Sequence, residues 1–255
     1  MLNFHVVIPA RFASTRLPGK ALLPIAGKPM VIRVAEQAAK SGAQQIWIAT
    51  DHHSIAAAVH EHGFKSCLTR EYHPSGTDRI AEVVEQHNWP DDTIVVNVQG
   101  DEPLIPPPLI HTVAQHLHDH AECAIATACH PIHDTEALRN PNIVKAVLDS
   151  QGNALYFSRA PVPWPRDAFA QGTSLPDNFT ALRHIGIYAY RASFLRAFSR
   201  LAPAPIEQIE ALEQLRALWH GYKIGVAIMD EAPPAGVDTE QDLLVARKLF
   251  DAAYN

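Results

Sequence analysis

The stretch Val6 to Lys20, VVIPARFASTRLPGK, constrains the fold most strongly, because a short apolar run stops at a proline and gives way at once to a loop with three cations. Val6-Val7-Ile8-Pro9 suits a buried strand, and the loop that follows it carries Arg11, Arg16 and Lys20. Open α/β sheets bind ligands beyond the carboxyl ends of their strands, where cations suit a polyphosphate. Pro18-Gly19 permits a tight turn just before Lys20. The loop is not a P-loop. Ser14 stands where the first glycine of G-x-x-x-x-G-K-[ST] belongs, and Ala21 follows the lysine.

The chain after the loop alternates between strand and helix patterns. Val31, Val34, Ala35 and Ala38 give Met30 to Ser41 a helical period that stops at Gly42. Gln45 to Thr50 reads as a strand ending at Asp51, and Ile55 to His62 as a helix stopped by Gly63. Such alternation implies a mainly parallel, Rossmann-like sheet. No G-x-G-x-x-G follows the first strand, so a dinucleotide cofactor is not expected. Ser75 or Thr77 can cap the helix that begins near Asp78, which leaves Arg79 without a role in capping.

Thr93 to Val98 is the clearest buried strand, and it runs straight into Gln99-Gly100-Asp101-Glu102-Pro103. A carboxylate at a strand end faces the ligand crevice. Magnesium is usually held by one or two carboxylates together with substrate phosphates, so Asp101 is the candidate metal ligand. No carboxylate–histidine zinc motif accompanies His111, His116, His118 and His120, which read as solvated positions on a helix.

From about residue 124 to residue 191 the pattern shifts to strands, at 124–128, 143–148, 154–158 and 184–190, with a proline-rich loop or lid over 160–179. This region is expected to be an inserted antiparallel sheet within a single domain. Arg159, His184 and Tyr188 are residue types that can bind a carboxylate and hydroxyls, but from the residues alone ordinary sheet alternation, which sets His184 and Tyr188 on one face, is the favoured account. Ile206, Ile209, Leu212, Leu215 and Leu218 predict one amphipathic helix from Ile206 to Trp219. Lys223 to Met229 reads as a strand, and Asp238 is a possible cap of the last helix.

Pro9-Ala10-Arg11, Arg16-Leu17-Pro18-Gly19-Lys20 and Gln99-Gly100-Asp101-Glu102-Pro103 together resemble the signatures of the sugar-acid cytidylyltransferases, and the resemblance runs almost from end to end. It implies a nucleotidyltransferase fold and transfer of CMP from CTP to a sugar acid, with Mg²⁺ as cofactor. The implied acceptor is 3-deoxy-manno-octulosonate (KDO), activated for lipopolysaccharide synthesis. Arg11, Lys20 and Asp101 become the implied catalytic residues. Ala10, Arg11, Lys20, Ser75, Arg79, Gln99 and Asp101 would hold the nucleotide, with Ser75 and Arg79 near the base. Pro74 stands where the family has glutamine. Gln99, Arg159, His184, Tyr188, Glu213 and Gln214 would face the sugar, and Asp238 would join Asp101 at the metal. The region 124–191 would cover the sugar and form the interface of a homodimer. Sialic acid and 8-amino-KDO are rival acceptors. A metal-dependent glycosyltransferase would usually show D-x-D, which the 100–103 segment lacks. A nucleotide-sensing scaffold is the non-enzymatic alternative.

Composition narrows the setting. A net charge of -6 and a pI near 6.2 leave no general basic face for nucleic acid, so the loop cations form a focused anion site. Cys67, Cys123 and Cys129 contain no C-x-x-C pair and suit reduced thiols, no run reaches membrane-spanning length, and residues 1–10 lack a basic leader segment. A cytoplasmic location is expected, with no membrane partner.

Overall fold

The computed structural model describes residues 2–14, 16–172, 174–176 and 179–254, with side chains to residue 252. Its centre is the strand Phe4–Ala10, which pairs in parallel with Gln45–Thr50 on one side and Ile94–Asn97 on the other. Val6, Val7 and Ile8 have no exposed surface, as expected for a strand covered on both faces. Val6, Ile8 and Val96 join the core beneath the helices Met30–Ala39 and Pro107–Asp119, while Val7 and Val95 join the opposite core beneath Gly76–Gln86 and Ala192–Phe198. Alternation along each strand thus builds a helix–sheet–helix sandwich.

The nine-stranded sheet continues from Ile94–Asn97 through the antiparallel strand Ala181–Arg191 to Ile125–Ile132 and Ile224–Ile228, and ends at Lys65–Leu68 on the other edge. The antiparallel pairing expected for 124–191 is present, and it is continuous with the main sheet. Tyr188 to Arg191 pair with Ile94–Asn97, whereas Leu182 and Arg183 pair with Lys145–Leu148, which in turn pairs with Ala154–Ser158. The register against Ile125–Ile132 shifts between Ile185 and Tyr188, so one long strand serves both the core and the outlying hairpin. The proline-rich stretch contains a short helix, Arg166–Gln171, while its Thr173, Asp177 and Asn178 lie outside the described residues.

The single helix expected from Ile206 to Trp219 is two helices, Pro205–Glu210 and Gln214–Trp219. Ala211 breaks the run with φ 51 and ψ 51, and Ile209 is 84% exposed, off the supposed apolar face. The reason is tertiary. Glu210 accepts from Ser158 Oγ and the Arg159 amide, and the Arg159 guanidinium donates to the carbonyls of Glu210 and Ala211. These bonds satisfy the helix end where it stops. Of the four histidines read as solvated, His111 and His118 are exposed, whereas His116 and His120, four residues apart, stack at 4.2 Å, and burial pulls the His116 pKa down.

Candidate active site

Three segments meet at the carboxyl ends of the central parallel strands. The first is the cationic loop, where Gly19 takes φ 64 and turns the chain so that Lys20 starts a 3₁₀ turn, Lys20–Leu22. The second is Gln99-Gly100-Asp101. A Cβ on Gly100 would lie 2.8 Å from the Pro9 carbonyl, so only glycine lets these two strand ends lie this close. The third is Gly236-Val237-Asp238, fastened by the Val237 amide, which donates to the Asp101 carbonyl at 2.8 Å.

Lys20 joins all three. Its Nζ lies 2.6 Å from Asp101 Oδ2, 3.2 Å from Asp238 Oδ1 and 2.9 Å from the Val237 carbonyl. Arg16 reaches Asp238 Oδ1 at 3.2 Å. Arg11 is exposed at the mouth and has no ion pair among the described residues. Asp238 does not cap the last helix, Glu240–Tyr254. Thr239 Oγ1 takes the Asp242 amide, and Asp242 receives the amides of Asp238 and Thr239, so the Asp238 carboxylate is left to face the cavity. Next to Asp101, burial and then the Asp101 charge push Glu102 up to about 8, so it stays largely neutral at pH 7.

The cavity holds about 390 Å³ and is lined by Ala10, Arg11, Lys20, Ser75, Arg79, Gln99, Asp101 and Asp238, among others. Every residue expected at the nucleotide or the metal is therefore on one wall or another. Two of them also hold the structure together. Ser75 caps Gly76–Gln86, its Oγ accepting from the Asp78 amide and donating to Asp78 Oδ2. Arg79 is buried against Asp51 Oδ2, Thr69 Oγ1 and the carbonyls of Arg70 and Glu71.

The residues expected at the sugar divide. Gln99 lines the main cavity. Tyr188, Glu213 and Gln214 line a second cavity of about 50 Å³ with Thr77. The two spaces flank the start of Gly76–Gln86: Ser75 and Gly76 line the first, and Thr77 lines the second while donating to Glu213. Gln214 Nε2 is buried there with no partner among the described residues. His184 lies beside Tyr188 at 5.3 Å, bonds Thr127 Oγ1, and is held neutral by burial, which drives its pKa down to about 3. Arg159 lines neither cavity, and its guanidinium is engaged by the carbonyls of Pro141, Glu210 and Ala211.

Sequence reasoning passed over Asp51, His73 and Glu82. His73 lines the cavity and meets Glu82 Oε2 at 2.5 Å. Burial alone would raise the Glu82 pKa, but bonds from the Arg70 amide, His73 and Gln86 hold it low. Asp51 ends the strand Gln45–Thr50 much as Asp101 follows Ile94–Asn97, and that shared position was its signal.

The donor set fits magnesium: two carboxylates approach one ammonium, and the remaining ligands would come from substrate phosphates and water. Among the described residues no cluster of three or more His, Cys, Asp or Glu forms a metal cage of protein ligands alone.

Comparison with known proteins agrees with this geometry. A cytidylyltransferase family model matches residues 5–224. The solved structure of CMP:2-keto-3-deoxy-manno-octonic acid synthetase complexed with CTP is 41% identical, over 98% of this chain and 99% of that one, with a TM-score of 0.88. A cytidylyltransferase from Leptospira borgpetersenii serovar Hardjo-bovis is 15% identical over 99% of this chain and 87% of that one, and its TM-score of 0.62 speaks for the fold alone.

Proposed function

The chain belongs to the cytidylyltransferase family, and from that premise we propose that it transfers CMP from CTP to the anomeric 2-hydroxyl of KDO, giving CMP-KDO and pyrophosphate. The carrying observation is the convergence of Lys20, Asp101 and Asp238, from three distant segments, in a cavity sized for a nucleotide. KDO is favoured as acceptor by the 41% identity to a protein named for that sugar acid and solved in complex with CTP.

The hydroxyl oxygen bonds to the α-phosphorus as the α–β bridging bond breaks, so pyrophosphate leaves with the bonding electrons and the hydroxyl proton is lost to solvent or a basic oxygen. Arg11, Arg16 and Lys20 bind the triphosphate and counter the charge that develops on the departing pyrophosphate. Asp101 and Asp238 would hold Mg²⁺, which when bound supplies charge neutralisation and acidifies the attacking hydroxyl. Tyr188, Glu213 and Gln214 face the acceptor, where Gln214 Nε2, without a partner among the described residues, offers a donor to a sugar hydroxyl or carboxylate. No protein nucleophile is required. The three cysteines are buried, and burial pushes the Cys129 thiol up to about 12.

The reading extends to a single domain whose 124–191 region shields the sugar and pairs two copies, acting in the cytoplasm in the supply of activated KDO for lipopolysaccharide. Buried free thiols and the absence, among the described residues, of a helix long and apolar enough to cross a membrane are consistent with that location. The test is pyrophosphate release with CTP and Mg²⁺, comparing KDO, 8-amino-KDO and sialic acid. Release with KDO alone supports both reaction and acceptor, release only with another acid replaces the acceptor, and stoichiometric CTP binding without release with any of them would favour a nucleotide-sensing scaffold.

A further inference from the structure

Among the described residues Arg11 has no hydrogen-bond or ion-pair partner, yet the residue after it is tied down. The Phe12 amide donates to Asp51 Oδ1 at 3.0 Å, and the Phe12 ring stacks on His52 at 3.9 Å with an interplanar angle of 15°. His52 is fixed in turn, because its Nδ1 accepts from the Ser54 amide and caps the helix His53–Glu61. The other oxygen of Asp51, Oδ2, takes Arg79 at 3.1 Å, in a pair whose side chains are 6% and 8% exposed. One carboxylate therefore spans two of the cavity walls. One oxygen holds the start of the cationic loop, and the other holds the arginine of the helix that begins at the cavity.

We propose that Asp51 is a positioning residue for the nucleotide: by gripping the Phe12 amide it sets the direction in which the Arg11 guanidinium enters the cavity. Arg11 is a long side chain on a loop, and a preorganised guanidinium loses less freedom when it binds phosphate than a wandering one. The Asp51–Arg79 pair supplies the stiffness. A carboxylate held on both oxygens cannot rotate away from the amide without leaving a buried guanidinium unpaired. This role rests on the cytidylyl-transfer reading.

The test is a double-mutant cycle on CTP affinity, read by calorimetry on the full chain, with each variant's fold checked by its thermal transition. Asp51→Ala is expected to weaken CTP binding about tenfold, and Asp51→Asn, which keeps an acceptor for the Phe12 amide but gives up the charge facing Arg79, to restore part of that loss. In an Arg11→Ala background, Asp51→Ala is expected to cost about threefold or less, the part that passes through Arg79, because the side chain that the Phe12 amide positions is gone. The same cost in both backgrounds, or no cost in either, overturns the proposal. If Asp51→Ala does not fold, Phe12→Pro removes the amide donor together with the ring stacked on His52 and leaves the Asp51–Arg79 pair whole; with Phe12→Ala, which removes the ring alone, as its control, it carries the same cycle with the same two outcomes. Failure of the wild-type chain to bind CTP would sink the nucleotide reading along with this one, whereas wild-type binding with an additive cycle sinks this one alone.

Discussion

Lys20 lies between two carboxylates and a carbonyl, so its ammonium is the counter-charge that lets Asp101 and Asp238 share one site, and in the proposed reaction it is also a phosphate ligand. Lys20→Ala removes both functions. Its kcat for pyrophosphate release is expected to fall about 10²–10³-fold, the usual cost of deleting a preorganised group that meets developing charge. Gly100 makes a different demand on the same place. Gly100→Ala would set a methyl 2.8 Å from the Pro9 carbonyl, so the strand ends must part. A loss of about 1–3 kcal/mol in urea unfolding, with a raised KM for CTP, is the expected result. Much of this site was legible in residue types: an apolar run, a proline, three cations, and a second strand ending in Gln-Gly-Asp. What residue types could not show is which groups hold one another. Arg79 looked free because capping did not need it, and it is bound to Asp51, a residue with no motif of its own.

At the scale of elements, the break at Ala211 shows where periodicity misleads. Five apolar residues at helical spacing predicted one helix. Their spacing carries no information about Ser158 and Arg159, some fifty positions earlier, which take hold of Glu210 and end the first helix there. The bend turns Glu213 and Gln214 toward Tyr188 and away from the line of the first helix. Alanine at φ 51 pays a steric penalty that glycine avoids. Ala211→Gly is therefore expected to stabilise the chain by about 0.5–1 kcal/mol, after the entropy that glycine adds to the unfolded state is set against the relief of strain. A urea midpoint that moves down would show that the left-handed turn is not strained. The strands around it were easier to read, since Gln45–Thr50 and Ala154–Ser158 coincide with their apolar runs. The edge strand Lys65–Leu68 escaped notice because only Cys67 of its four residues is buried.

Across the whole molecule, buried histidines make stability depend on pH. His184 titrates near 3 in the folded chain, driven down by burial, against about 6.5 when unfolded. Below pH 6.5 the unfolded state therefore binds a proton that the folded state refuses, and stability falls as pH drops toward 3. Burial shifts His5, His87, His116 and His130 in the same direction, while Glu102, raised to about 8, acts in the opposite sense between about pH 8 and pH 4.5. His184→Gln isolates one contribution. Its stability deficit relative to wild type is expected to shrink between about pH 7 and pH 4.5 in urea titrations. The overall architecture was readable from the strand–helix alternation, whereas the continuity of the 124–191 strands with the main sheet was not, because it depends on one strand, Ala181–Arg191, changing partners midway. The whole arrangement serves one reaction, and the most direct measurement of that reaction is ³¹P NMR of the chain with CTP, Mg²⁺ and KDO. A phosphodiester resonance that grows in step with pyrophosphate, and is absent with Asp101→Asn, is the expected result. Consumption of CTP to CDP and phosphate, or a phosphodiester formed equally well by Asp101→Asn, would contradict it.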